Sequence, residues 1–185
     1  MNCFEECTQL RKLYLEANRI SRLEGLQNCQ RLEELYLGDQ NIGKLEFTFD
    51  EYSLAAISNT LEVLDLPKVN LIRCKPLYFL ENLITLNLND NAIGEFEDEV
   101  APMLMTLIRL ERLTMLRNPV IKQTAKYRDQ VVSLTGPQFT ELDGKTIKPQ
   151  ERQYLQQLNA RKQTKLLNRQ NTQGQTAPHQ QSNQP

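Results

Sequence analysis

One line of sequence is written five times along this chain and begun a sixth time. Its clearest copy is LITLNLNDNAIGEF, from Leu83 to Phe96, with leucine at the first, fourth and sixth places, asparagine at the ninth and isoleucine at the eleventh. The same frame reads Leu10, Leu13, Leu15, Asn18, Ile20 and then Leu32, Leu35, Leu37, Gln40, Ile42. It continues as Leu61, Leu64, Leu66, Val69, Leu71, and as Leu110, Leu113, Met115, Asn118, Val120. The last, shorter copy is Phe139, Leu142, Gly144. First places are separated by 22, 29, 22, 27 and 29 residues.

A unit of this size cannot bury its own apolar side, so it must stack on its neighbours, and periods in this range mark leucine-rich-repeat solenoids. The expected fold class is α/β, a curved parallel sheet with short convex helices or 3-10 turns and a C-terminal helical cap. Each unit contributes a short strand whose alternation turns the fourth and sixth places into the core and the third, fifth and seventh to the concave face. The ninth-place amide is expected to bond backbone groups that would otherwise be buried unpaired. Gln40 can do part of that job and Val69 none of it, so the third turn is expected to be irregular, with its loop near Pro67 rearranged.

The spacings also place the convex elements. The 29-residue unit holds Leu54 and Ile57 behind Asp50, which suits a short helix capped by that aspartate. Val100, Met103, Leu104, Leu107 and Ile108 keep helical spacing, with Pro102 in the first turn. Units of 22 residues have room only for a tight single turn. One helix is expected over 121–134, with Ala125, Tyr127, Arg128, Val131 and Leu134 on it, ended by Gly136 and Pro137. Asp143 and Gly144 then turn the chain, Ile147 returns to the core, and a helix opens near Pro149 and runs to roughly Arg169. The division is 1–147 repeats with terminal cap, 148–169 a basic helix, and 170–185 a disordered Gln/Asn-rich tail.

Residues 4 to 9 read as the end of a unit whose strand is missing. Either the first turn is open, exposing Leu10, Leu13 and Leu15, or a longer form carries further repeats; the second is preferred. No apolar run is long enough to span a membrane and no leader is seen, so the expected compartment is cytoplasmic or cytoskeletal.

Charge is uneven. Lys145 to Arg169 carries +6, leaving −7 on the remainder of a chain whose net charge is −1. The basic helix is either a solvated face or a contact for acidic tubulin tails or nucleic acid. Catalysis has little to build on. The single histidine, His179, lies in the tail, far from any nucleophile, and there is no GxxxxGK[ST] or GxGxxG loop. Asp39 and Asp65 on neighbouring turns are a conceivable carboxylate pair, but solvated acidic faces are commoner than catalytic dyads. Cys7 and Cys29 fall on core places, Cys3 and Cys74 are isolated, and nothing completes a metal site, so reduced thiols, no metal and no cofactor are expected. The chain reads as a non-enzyme.

Binding by the concave sheet remains. Its outward places include Tyr14 and Tyr36 on adjacent turns, ringed by Glu16, Glu34, Asp39, Asp65 and Asp90, with Asn87 and Arg112 further along. Aromatic anchors beside carboxylates resemble the centre of an interface for a basic partner. These nine residues are the candidate site.

The residues 118–155, NPVIKQTAKYRDQVVSLTGPQFTELDGKTIKPQERQYL, resemble the terminal cap shared by the leucine-rich-repeat regulators of protein phosphatase 1, the U2 small ribonucleoprotein A-prime subunit and the axonemal dynein light chain of this fold. LYLGDQNI at 35–42, FDEYSLAAISNTLEVLDL at 49–66 and the KYRD and LDGKTIKPQERQYL runs are most similar to the testis and centrosome type of the phosphatase regulators, over about residues 8 to 158. Val69 and Pro67 depart from that pattern. The resemblance implies further N-terminal repeats, binding of the phosphatase catalytic subunit, and residence at microtubule-organising centres, centrosomes, cilia or flagella; the chain is expected to be a monomer. Its alternatives are a ribonucleoprotein scaffold gripping an RNA-binding domain, or a structural protein bound to dynein or tubulin.

Overall fold

A computed structural model describes residue 4, residues 6–158 and residues 160–161. They fall into two units, one up to Lys148 and one from Pro149 onward. The repeats of the first unit form a sheet from one strand per copy. In chain order these are β1 (Lys12–Tyr14), β3 (Glu34–Tyr36), β5 (Val63–Asp65), β6 (Thr85–Asn87), β7 (Arg112–Thr114) and β8 (Glu141–Leu142). Each is parallel to the next, and third places meet third places throughout, from Lys12↔Glu34 to Arg112↔Glu141. The register follows from the sequence because a slip of one residue would turn every leucine to the wrong face. Accordingly Leu35, Leu37, Leu64, Leu66, Leu86, Leu88, Leu113 and Met115 are buried.

Asp143 and Gly144, both with positive φ, then reverse the chain into β9 (Lys145–Thr146), antiparallel to β8, and Ile147 is buried. The reversal takes a strand carbonyl away from Met115. The Asp143 carboxylate stands in for it, accepting the Met115 N–H at 2.7 Å. Burial holds the Asp143 carboxyl above its ordinary range, against the lowering effect of that bond.

The ninth-place amides stitch turns together. Asn91 donates to Leu66 O and Leu88 O and accepts from Val69 N and Leu71 N, at 2.8, 3.0, 3.2 and 2.9 Å. Gln40 does part of that task, as expected, reaching Leu15 O, Leu37 O and Ile20 N at 2.7, 2.9 and 2.8 Å. Val69 is tolerated because its neighbours already satisfy the groups it would have served: Leu37 O by Gln40, Leu66 O by Asn91, and Ile42 N by Gln40 O.

The expected rearrangement at Pro67 does not occur. Beyond each strand the ladder uses only the N–H groups of the sixth and eighth places, as in Leu66 to Asn87 O and Lys68 to Asn89 O, so a seventh-place proline withdraws nothing. Eighth places are left-handed in every turn (Ala17, Asp39, Lys68, Asp90, Arg117); the irregularity is Asn70, which adds a second positive φ of 56° to the third turn.

On the opposite side, β2 (Arg22–Leu23) pairs with β4 (Thr48–Phe49). Next comes α1 (Glu51–Ile57), capped as expected by Asp50, whose carboxylate accepts from Ser53 N at 3.0 Å. The 22-residue third unit has room for a 3-10 turn, Lys75–Phe79. In the fourth, a π-turn over Phe96–Val100 runs into α2 (Ala101–Thr106). Ile108 lies beyond that helix and is exposed, a correction to its place on the helical face. The single helix expected over 121–134 is two, α3 (Pro119–Gln123) and α4 (Tyr127–Leu134), because Lys126 is left-handed between them. Tyr127, Val131 and Val132 are buried there, whereas Ala125 and Leu134 are exposed.

In the second unit, residues 149–158, 160 and 161 are helical. Among the described residues no helix is long and apolar enough to cross a membrane. The rest of the basic stretch to Arg169, the tail from 170 to 185 with His179, and Cys3 lie outside the described residues.

Candidate protein-binding face

Because β1 and β3 join in register with no insertion, Tyr14 and Tyr36 are cross-strand partners. Parallel strands sit about 4.8 Å apart, and the two rings stack at 4.7 Å with an interplanar angle of 6°. Tyr14 remains 59% exposed, while Tyr36 is half-buried. The Tyr36 hydroxyl donates to Glu34 Oε2 at 2.9 Å, and burial together with that carboxylate pushes the phenol up to about 12. Glu34 is itself bound by Lys12 at 2.8 Å, and the lysine, then Tyr36, hold its carboxyl below the ordinary range. The Tyr36 ring is therefore braced at its hydroxyl, while Tyr14 stands open to solvent.

The fifth-place row continues through polar contacts. Asn87 Nδ2 donates to Asp65 Oδ1 at 2.6 Å, and Thr114 Oγ1 donates to Asn87 Oδ1 at 2.8 Å. Asn87 is thus committed inside the sheet, where it orients Asp65. Burial is the main cause that raises the Asp65 carboxyl above its ordinary range; the charges of Glu16 and Asp39 add to it, against the Asn87 bond.

The remaining acids are mostly answered. Asp39 pairs with Lys68 at 2.9 Å, and Asp90 is held by Arg117 through two nitrogens. Asp39 and Asp65, on neighbouring turns, are engaged separately: Asp39 is ion-paired and Asp65 is bonded to Asn87. Among the described residues, Glu16 and Asp65 alone of the five candidate acids lack a cationic partner. Arg112, separated from β3 by β5 and β6, bonds Thr85 Oγ1 at 3.1 and 2.8 Å and does not join the tyrosines. The sequence reading missed Lys12, Lys68 and Arg117 as neutralisers. The signal was present, because opposite charges at the same place of consecutive turns must meet.

Among the described residues no group of three or more His, Cys, Asp or Glu side chains is placed to hold a metal. Cys29 and Cys74 are buried free thiols, and burial raises both; Cys7 is only half-buried at the first turn.

A family model described as Leucine Rich repeats (2 copies) matches residues 8–49. The chain folds as a leucine-rich-repeat solenoid. It is similar to a chain of the SNF/U2A' complex of Drosophila melanogaster, at 24% identity over 92% of this chain and 80% of that one, with a TM-score of 0.52. An internalin of Listeria monocytogenes matches with a TM-score of 0.54 and 24% identity, over 77% of this chain and 43% of the internalin chain. At such identities the likeness is one of fold. Leucine-rich-repeat solenoids are generally noncatalytic protein-binding scaffolds that use their sheet as an extended surface.

Proposed function

We propose that this protein is a noncatalytic adaptor whose open sheet face holds the catalytic subunit of protein phosphatase 1 and keeps it at microtubule-organising or ciliary structures. The observation that carries the binding role is the exposed Tyr14–Tyr36 stack beside carboxylates without cations. Large rigid aromatic anchors are typical of interface centres, and carboxylates beside them orient a basic partner. The phosphatase is named by the resemblance of the 35–42, 49–66 and 118–155 stretches to its leucine-rich-repeat regulators, and the location by the same resemblance.

The test replaces Tyr36 with Ala and Asp65 with Lys and measures capture of purified phosphatase catalytic subunit. Capture should fall by at least about tenfold, since an aromatic anchor alone is worth about 2 kcal/mol. Undiminished capture removes this face from the assignment. A second reading, a scaffold for an RNA-binding domain, is compatible with the fold shared with a chain of the SNF/U2A' complex. It calls for nuclear residence and co-purification of RNA, which fractionation of tagged protein separates from a centrosomal or ciliary signal.

A further inference from the structure

The charges along the sheet are distributed so that one position is left unanswered. Down the eighth places the residues run Ala17, Asp39, Lys68, Asp90, Arg117, and they pair in two successive couples. At the third places Lys12 answers Glu34. Of the five candidate acids, Glu16 and Asp65 are what remains without a cation among the described residues, and Gly38 puts no side chain at the seventh place of the turn between them. Asp65 follows Tyr36 in the fifth-place row, and Glu16 stands two places beyond Tyr14 on the same face. Tyr14 and Tyr36 stand beside them in the fifth-place row, with Tyr14 largely exposed.

We propose that this part of the face receives an arginine side chain of the protein partner, its guanidinium taken by Glu16 and Asp65 and its plane laid against the outer face of Tyr36, on the side of Asp65. Charge complementarity selects a cation. The flat aromatic surface selects a planar one, because a guanidinium stacks and bonds two carboxylate oxygens at once whereas an ammonium is a compact, strongly hydrated point. The half-buried Asp65, already held by Asn87 on one side, offers its remaining lone pairs in a fixed direction. The proposal rests on the reading that the open face binds a protein, but not on which protein.

The test titrates the 185-residue chain with three matched glycine-serine peptides, carrying arginines, lysines or citrullines, and follows the tyrosine ring signals by NMR. Signals are assigned with Tyr14→Phe and Tyr36→Phe variants. The arginine peptide should shift both rings, the lysine peptide should bind about fivefold more weakly, and the uncharged citrulline peptide should leave the rings unmoved. Glu16→Gln combined with Asp65→Asn should weaken the arginine peptide about tenfold, while Glu51→Gln, on α1 and outside the candidate face, should not. Equal binding of arginine and lysine peptides, or an undiminished response in the double variant, overturns the proposal. An intact arginine response with no capture of the phosphatase supports the receptor and overturns the phosphatase reading alone.

Discussion

The ninth-place asparagines occupy one position of one repeat, yet they should differ widely in what they contribute. Replacing Asn91 with Ala strands Val69 N, Leu71 N and Leu66 O, since of its partners only Leu88 O and Asn89 O keep another, Asn118 Nδ2 at 2.7 Å and Lys68 N at 3.0 Å. Asn91 is 7% exposed, so water has little access to the orphaned groups. An unsatisfied buried polar group costs about 1–3 kcal/mol, which places the loss at about 3–5 kcal/mol once partial relaxation is allowed. With a urea slope of about 2 kcal/mol/M the midpoint falls by about 2 M. Asn18 is exposed, and its two bonds, to Leu15 O and Glu16 O at 3.0 Å each, stay within its own turn. Asn18→Ala should therefore cost no more than about 0.5 kcal/mol. Urea denaturation followed by circular dichroism measures both variants. Equal midpoint shifts would refute the claim that bonding between turns, rather than the asparagine turn itself, stabilises the stack.

Gly38 should resist substitution, because a Cβ there would lie 2.8 Å from Cγ of the Pro67 ring, which cannot swing away. Gly38→Ala is expected to lose about 1–3 kcal/mol, with most of it restored in the Gly38→Ala, Pro67→Ala double variant, as thermal denaturation of both will show. Asp143→Ala leaves Met115 N without its acceptor and should cost about 1–3 kcal/mol, whereas Asp143→Asn, which keeps an oxygen there, should cost less in the same assay. The Asp65 carboxyl titrates above its unfolded value, so its protonated form favours the fold; that stability is fully present below the unfolded pKa and is lost as pH rises through the folded one. Asp65→Asn should then raise the melting temperature at neutral pH and leave it unchanged in acid, which a pH series of thermal scans checks.

Much of this architecture could be read from the leucines, because a two-residue strand period combined with a fixed frame leaves one register. The Tyr14–Tyr36 stack followed from the same arithmetic. What escaped the reading depended on single backbone groups. Pro67 looked disruptive, yet the ladder does not use its missing N–H. Val69 looked like a defect, but Gln40 and Asn91 already serve its neighbours. The break at Lys126 is a left-handed residue with no glycine to announce it. The candidate acids were visible as residue types, but their availability depended on which cation stood at the same place one turn later.

That dependence bears on why the face binds where it does. A carboxylate that already has a cation must surrender it to a partner, so Glu34, Asp39 and Asp90 gain little by meeting a basic ligand. Asp65 surrenders nothing: its charged form is disfavoured in the free chain by burial and by Glu16 and Asp39, and an incoming cation offsets the repulsion of the two acids and gives the buried charge a counter-ion. The same residue that makes the free fold less stable at neutral pH thus makes the bound state more favourable, the usual relation between strained polar groups and function. Asp65→Asn consequently has opposite effects on stability and on binding. A variant that melted higher and still took the arginine peptide would break that link, and with it the reason for assigning the site to this carboxylate.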